Sequence, residues 1–123
     1  MFVAELAGRA LGGADNDFVI VRWTAEVGDH WIAALHVHHA DDEAWVVLSG
    51  ALEFRLGDEQ FVGGPGAAVL AEKGVPHTYR NAGDVPAEYL LVIPPRIASL
   101  IERIHQPGAD VAALFAAHES SLL

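Results

Sequence analysis

Histidine and glutamate are the residues of this chain whose types and spacing suit chemistry. His36 and His38 lie two apart in an apolar segment. On a β-strand, residues i and i+2 share a face, so both imidazoles point the same way, with Ile32 and Ala34 below them and His39 on the opposite face. Ala40-Asp41-Asp42 reads as a turn and Glu43 as the first residue of the next strand. A hairpin there would return a carboxylate beside the two imidazoles. A third imidazole, His77, follows Gly74-Val75-Pro76 at the start of a distant strand. Three neutral imidazoles and one carboxylate suit a borderline divalent metal: zinc, iron, nickel, copper, cobalt or manganese. Against this, a glutamate at a strand start is usually solvated, and a lone histidine such as His30 or His105 is usually a surface or capping residue, so neither is given a role. Two imidazoles on one apolar face are harder to dismiss, because burying them without partners costs free energy.

The elements that must hold these residues are short. Apolar segments run over Phe18 to Val27, Trp31 to His38, Glu43 to Ser49, Ala51 to Leu56, Gln60 to Val62, Ala67 to Ala71, His77 to Asn81 and Glu88 to Ile93. Turn residues separate them, among them Gly57-Asp58, Gly63-Gly64-Pro65-Gly66 and Gly83-Asp84. Strands at such intervals predict an all-β sandwich or barrel over residues 18–95. Leu52, Phe54 and Leu56 alternate with Glu53 and Arg55, so that strand has one buried and one wet face. Trp45-Val46-Val47-Leu48 is apolar on both faces and needs a cover outside the barrel. Past residue 95 the period becomes helical, through Ile97, Leu100, Ile101 and Ile104. Gln106-Pro107-Gly108 breaks it, and Val111, Leu114, Phe115 and His118 resume it, with Asp110 as cap. These helices, over residues 96–118, are expected to pack as a lid on one sheet.

Composition narrows the classes. With 123 residues the chain is one domain with one core, residues 1–123. It has no cysteine, which excludes disulfides, thiolate metal sites and cysteine nucleophiles. A formal charge of −10 repels a nucleic-acid backbone, and no basic run offsets it. No apolar run approaches the roughly 18 residues of a membrane span, and no secretory pattern opens the sequence. The expectation is a cytoplasmic domain without nucleic-acid or membrane partners.

The full spacing says more than the His-x-His pair alone. His36-Val37-His38 is followed by four residues and Glu43, then by six residues and Gly50. Downstream, Gly66, Gly74, His77 and Asn81 fall at the intervals of a second motif. The stretch resembles the cupin family, whose motifs are written G-x5-H-x-H-x(3,4)-E-x6-G and G-x5-P-x-G-x2-H-x3-N. It covers residues 28–95, with two departures at non-ligand positions: His30 stands for the leading glycine and Glu72 for the proline. Residues 36–45 are also similar to small single-domain cupins of the quercetin-dioxygenase-like group. The resemblance implies a single antiparallel jelly-roll β-barrel with C-terminal helices. It also implies one divalent transition metal held inside the barrel mouth by His36, His38, Glu43 and His77.

Four protein ligands leave one or two coordination positions open to substrate, water or dioxygen. Strand alternation places Trp45 and Val47 on the face of Glu43, and Tyr79 on the face of His77; Leu52 and Phe54 are further candidates for the lining. Trp45, Phe54 and Tyr79 are the candidate substrate-binding residues, in a largely apolar pocket for a small molecule that chelates through oxygen. An oxygenase acting on such a molecule is the first functional expectation. A non-catalytic metal- or ligand-binding protein is the second. An isomerase or lyase would need a base, for which Tyr79 and Glu72 are candidates. The apolar segments Trp45 to Leu48 and Leu90 to Ile93 exceed what one small barrel covers, which predicts a homodimer.

Overall fold

The computed structural model describes residues 6, 10–28 and 30–123. Its strands are β1 (Ala10–Leu11), β2 (Val19–Ala25), β3 (His36–His38), β4 (Glu43–Ser49), β5 (Leu52–Leu56), β6 (Glu59–Gly63), β7 (Ala68–Ala71), β8 (His77–Asn81), β9 (Ala87–Ile93) and β10 (Ser120–Leu122). Two helices, α1 (Pro95–Ile104) and α2 (Val111–Ala117), stand between β9 and β10. The strands form two antiparallel sheets, ordered β1-β2-β9-β4-β7 and β10-β3-β8-β5-β6. The strand pattern predicts an all-β sandwich or barrel, and the fold is the jelly roll that the family resemblance implies.

The core lies between the two inner faces. Trp45, Val47, Leu91 and Ile93 of the first sheet meet Leu52, Phe54 and Tyr79 of the second, all buried. On β5, Leu52 and Phe54 are buried, while Glu53 leans outward and pairs with Arg80 at 3.1 Å. Gly50, which closes the first motif, has φ +73°, and a Cβ there would sit 2.7 Å from the Ala87 Cα. Both the backbone angle and the space demand glycine.

Three expectations change. The segment Trp31 to His38 is strand only over His36–His38. Residues 31–34 form a loop fastened to β8 by Ile32 N–H to the Tyr79 carbonyl, 2.9 Å, and by Thr78 Oγ1 to the Ala33 carbonyl, 2.6 Å. The link over residues 39–42 is not a hairpin, because β3 and β4 belong to different sheets. It carries the chain across the barrel, so Glu43 faces the histidines from the opposite wall. The helices do not pack on one sheet either. They close the barrel mouth, where Leu100, Ile101 and Phe115 share a cavity with Leu91 of one sheet and His36 of the other.

A bidentate ion pair fixes that closure: Arg96 of α1 reaches the buried Asp41 through Nε–Oδ2 at 2.8 Å and Nη2–Oδ1 at 3.2 Å. Asp110 caps α2 as expected, its Oδ1 accepting from Ala113 N–H at 3.1 Å. With the helices at the mouth, the outer face of the first sheet stays uncovered: Leu48 is 37% exposed and Leu70 52%.

Candidate metal centre

Pairing register brings the three histidines together. His36 of β3 lies directly opposite His77 of β8, and His38 is two residues along the same face. All three are buried, and their candidate ligand atoms lie within 4.8 Å of one another. Ring centroids are 4.9 Å apart for His36–His38, 4.4 Å for His36–His77 and 5.0 Å for His38–His77.

The outer nitrogen of each ring decides what the inner one offers. His36 Nδ1 meets the Ala34 carbonyl at 2.7 Å, and His77 Nδ1 meets the Val75 carbonyl at 2.9 Å. A carbonyl only accepts, so both Nδ1 atoms carry the proton. His38 Nδ1 meets Ser120 Oγ at 2.7 Å, and that hydroxyl donates its one proton to the His118 carbonyl at 3.1 Å. It must therefore accept from His38. In every neutral ring the Nε2 lone pair then points inward. His38 Nε2 and His77 Nε2 are buried with no hydrogen-bond partner. Such atoms are rare and costly in a native interior, and a cation is the partner that lone pairs without protons accept. The three histidines are positioned to bind a metal ion.

Glu43 approaches the cluster from the other sheet. Its carboxylate oxygens lie 3.2 Å from His38 Nε2 and 3.9 Å from His77 Nε2, and the side chain is buried. Burial, and then the neighbouring His77, lower the His36 pKa from 6.5 to about 4. Burial also lowers that of His77. Both rings keep their metal-binding form to lower pH than free imidazole does.

His36, His38 and Glu43 border a cavity of about 220 Å³, walled otherwise by apolar side chains including Trp23, Leu91, Leu100 and Phe115. Of the three residues expected to meet substrate, Tyr79 lines it. Trp45 and Phe54 are fully buried and pack ring against ring at 5.4 Å, with the Trp45 ring 5.6 Å from His77. The structure thus places them behind the imidazoles as a wall. Burial, then the neighbouring Tyr89, raises the Tyr79 pKa well above 10, so its phenol stays protonated; its hydroxyl is 2.6 Å from that of Tyr89. Glu72, the other candidate base, is exposed in the turn before β8. His39 points outward as expected, with Nε2 2.8 Å from Ser121 Oγ.

Sequence reasoning missed the shell behind the ligands. Ser120 sits 82 residues from His38 and meets it only because β10 pairs with β3 in register. Phe115, on the helical stripe of α2, stands edge-on to His36 at 5.6 Å, a contact that helical spacing does not reveal. Asn81 holds no ligand position. Its Nδ2 donates to the Ala25 and Val85 carbonyls at 2.9 and 2.8 Å, which ties the strand after His77 across the core.

A family model described as Cupin domain matches residues 21–93. Solved structures share the fold. A conserved protein with a double-stranded β-helix domain from Klebsiella pneumoniae is 29% identical, with a TM-score of 0.58, covering 76% of this chain and 78% of that one. A cupin-superfamily sugar phosphate isomerase from Silicibacter pomeroyi is 26% identical at a TM-score of 0.58, covering 64% of this chain; the match spans about half of that protein, 51%. A predicted oxalate decarboxylase from Thermotoga maritima is 25% identical at 0.55, covering 63% and 64%. Comparison with curated proteins returned no match.

Substitution separates ligands from bystanders. His36→Ala, His38→Ala and His77→Ala should each lose most bound metal on dialysis while circular dichroism still reports a folded barrel. Ser120→Ala should weaken metal binding about 10- to 100-fold by freeing the His38 ring. His39→Ala should retain metal; loss equal to that of His38→Ala would refute the facing of this strand.

The lowered imidazole pKa values set the pH response. Between pH 6.5 and about 4 the unfolded chain binds protons that folded His36 does not, so stability must fall as pH drops through that window. For His36 alone the loss is on the order of 3 kcal/mol at its lower end. Chemical denaturation of chelator-treated protein at several pH values measures it, and a flat profile would contradict the burial. Added zinc should raise the melting temperature at about pH 7.5 by mass action, with the gain shrinking as protons compete for the imidazoles.

Proposed function

The chain belongs to the cupin family, and on that premise we propose that it is a metal-dependent enzyme with oxygenase chemistry, acting on a small organic molecule that chelates through oxygen. The observation that carries the reading is the pair of buried, unpartnered Nε2 lone pairs on His38 and His77. With His36 and Glu43 they make three nitrogens and one carboxylate, a set that suits iron, manganese, nickel, copper or zinc. A divalent transition metal bound by them supplies a Lewis acid with positions left for exogenous ligands and, for the redox-active ions, electron transfer.

The chain's own groups define the rest. Ala34, Val75 and Ser120 hold the imidazoles in one tautomer. Leu100, Phe115 and their neighbours give the cavity an apolar wall. Among the described residues lining it, the proton acceptors are His36, His38, Glu43 and His105, the last exposed at the end of α1. Tyr79 stays protonated and can donate but not accept a proton. Base-driven isomerisation therefore lacks a buried base. The likeness to a sugar phosphate isomerase also lacks support in the cavity, because no lysine or arginine is among its described lining residues to hold a phosphate.

Outside the barrel, the uncovered face of the first sheet carries Ile20, Val46, Leu48, Leu70, Leu90 and Val92, half-buried or exposed. A homodimer that covers this face is part of the proposal.

Oxygen uptake tests the activity. Protein reconstituted with iron, manganese, nickel or copper should consume dioxygen with a member of a panel of catechols, enediols and 1,3-diketones, and His38→Ala should not. Turnover with zinc and no oxygen uptake would overturn the oxygenase reading. Tight metal binding with no turnover on any metal would leave the non-catalytic binding role in its place. Light scattering should return the dimer mass at micromolar concentration, where the monomer mass alone would remove the dimer.

A further inference from the structure

We infer that the ligand of this centre has two parts, a chelating head at the imidazoles and an uncharged apolar body lying along an adjoining groove under α1, and that phosphorylated molecules are excluded. The inference rests on the metal reading above and names the ligand class for it.

The cavity at the imidazoles is about 220 Å³, and it adjoins a larger groove of about 700 Å³. The first alone falls below the ~300 Å³ at which pockets for whole small molecules begin; with the groove it lies within the range of ~300–1,000 Å³. Trp23, Ile32, Tyr79, Ile101 and His105 line both spaces. Trp23, Ile32 and Ile101 make most of this shared lining apolar, and His105 has its Nδ1 taken up by the Ile101 carbonyl at 2.6 Å. Ile32 is 43% exposed on a loop whose backbone is fixed to β8, so its side chain stands ready to be covered. The hydroxyls of Tyr79 and Tyr89 share one hydrogen bond at 2.6 Å, and both residues line the groove. A body without hydrogen-bonding groups competes with none of the bonds that this pair already makes.

Charge acts in the same direction. Among the described residues lining either space none is a lysine or an arginine, and the carboxylates present are Glu43 and Glu102. A phosphate dianion would enter without a cationic partner, in a chain of formal charge −10. A chelating head differs, because the metal is its partner.

Two tropolones test this on zinc-loaded protein by calorimetry, with zinc retention followed by ultrafiltration. Tropolone is a head alone; 4-isopropyltropolone adds an apolar body to the same head. The isopropyl compound should bind at least about tenfold more tightly, from the apolar surface that it buries. Thr24→Asp and Ala98→Asp, both at partly exposed positions that line the groove and not the imidazole cavity, should each erase that gain and leave tropolone binding within about twofold. Equal affinities for the two compounds, or a gain that survives both variants, would overturn the apolar body while leaving the metal centre intact. Binding of glucose 6-phosphate as tight as that of the isopropyl compound would overturn the exclusion of phosphates. Failure of tropolone to bind protein that retains zinc, or failure of the protein to retain zinc, would overturn the metal reading and this inference with it.

Discussion

Each imidazole of the cluster donates its Nδ1–H to an acceptor fixed by the fold: the Ala34 carbonyl, the Val75 carbonyl and the Ser120 hydroxyl. Those bonds force the Nε2 lone pairs into a dry interior, where water does not reach His38 and His77. Without a cation this arrangement is unfavourable, since buried acceptors without donors have lost their hydration for nothing. With one, the same geometry is preorganised, because neither tautomer nor ring orientation has to change. The rest of the molecule supports that condition.

Support comes from three directions. The cross-strand register of β3 on β8 sets His36 against His77, and the Gly74 N–H bond to the His38 carbonyl, 2.8 Å, holds the turn before His77 to the same strand. The link over residues 39–42 brings Glu43 over from the opposite sheet, and its buried Asp41 is gripped by Arg96, so the carboxylate's wall is anchored to the helix that closes the mouth. The C-terminal strand then places Ser120 behind His38. One segment, residues 95–122, both walls the cavity and fixes the His38 ring. A local loss of that segment would open the cavity and release His38 together, which couples the order of the chain end to the chemistry of the centre.

The same closure explains why the cavity is apolar and small. Helix α1 turns Leu100 and Ile101 inward over the gap between the sheets, and α2 adds Phe115 beside His36. In such surroundings an ion pair or hydrogen bond is stronger than in water, and a polar group left unpaired is more costly. Selectivity among ligands therefore follows from which of their polar groups the metal and the rim can satisfy.

Much of this was legible in the residues. Strand alternation alone put His36 and His38 on one face and His39 on the other, since the side-chain period of a strand is fixed by covalent geometry. The intervals to Glu43, Gly50, His77 and Asn81 carried the resemblance to the cupin family, and through it the jelly roll, because a turn that needs glycine leaves a fixed mark in the chain. What the sequence could not express is distance through space. Trp45 and Tyr79 look alike as inward aromatic residues; only the packing of the two sheets makes one a wall and the other a cavity lining. The turn before Glu43 reads the same whether it closes a hairpin or crosses between sheets, because the local backbone signals are identical and the choice is made by which distant strand offers its edge. Ser120 carries no local signal at all. Its hydroxyl acquires a role from a pairing 82 residues away, and such non-local contacts are settled by tertiary packing rather than by any pattern along the chain.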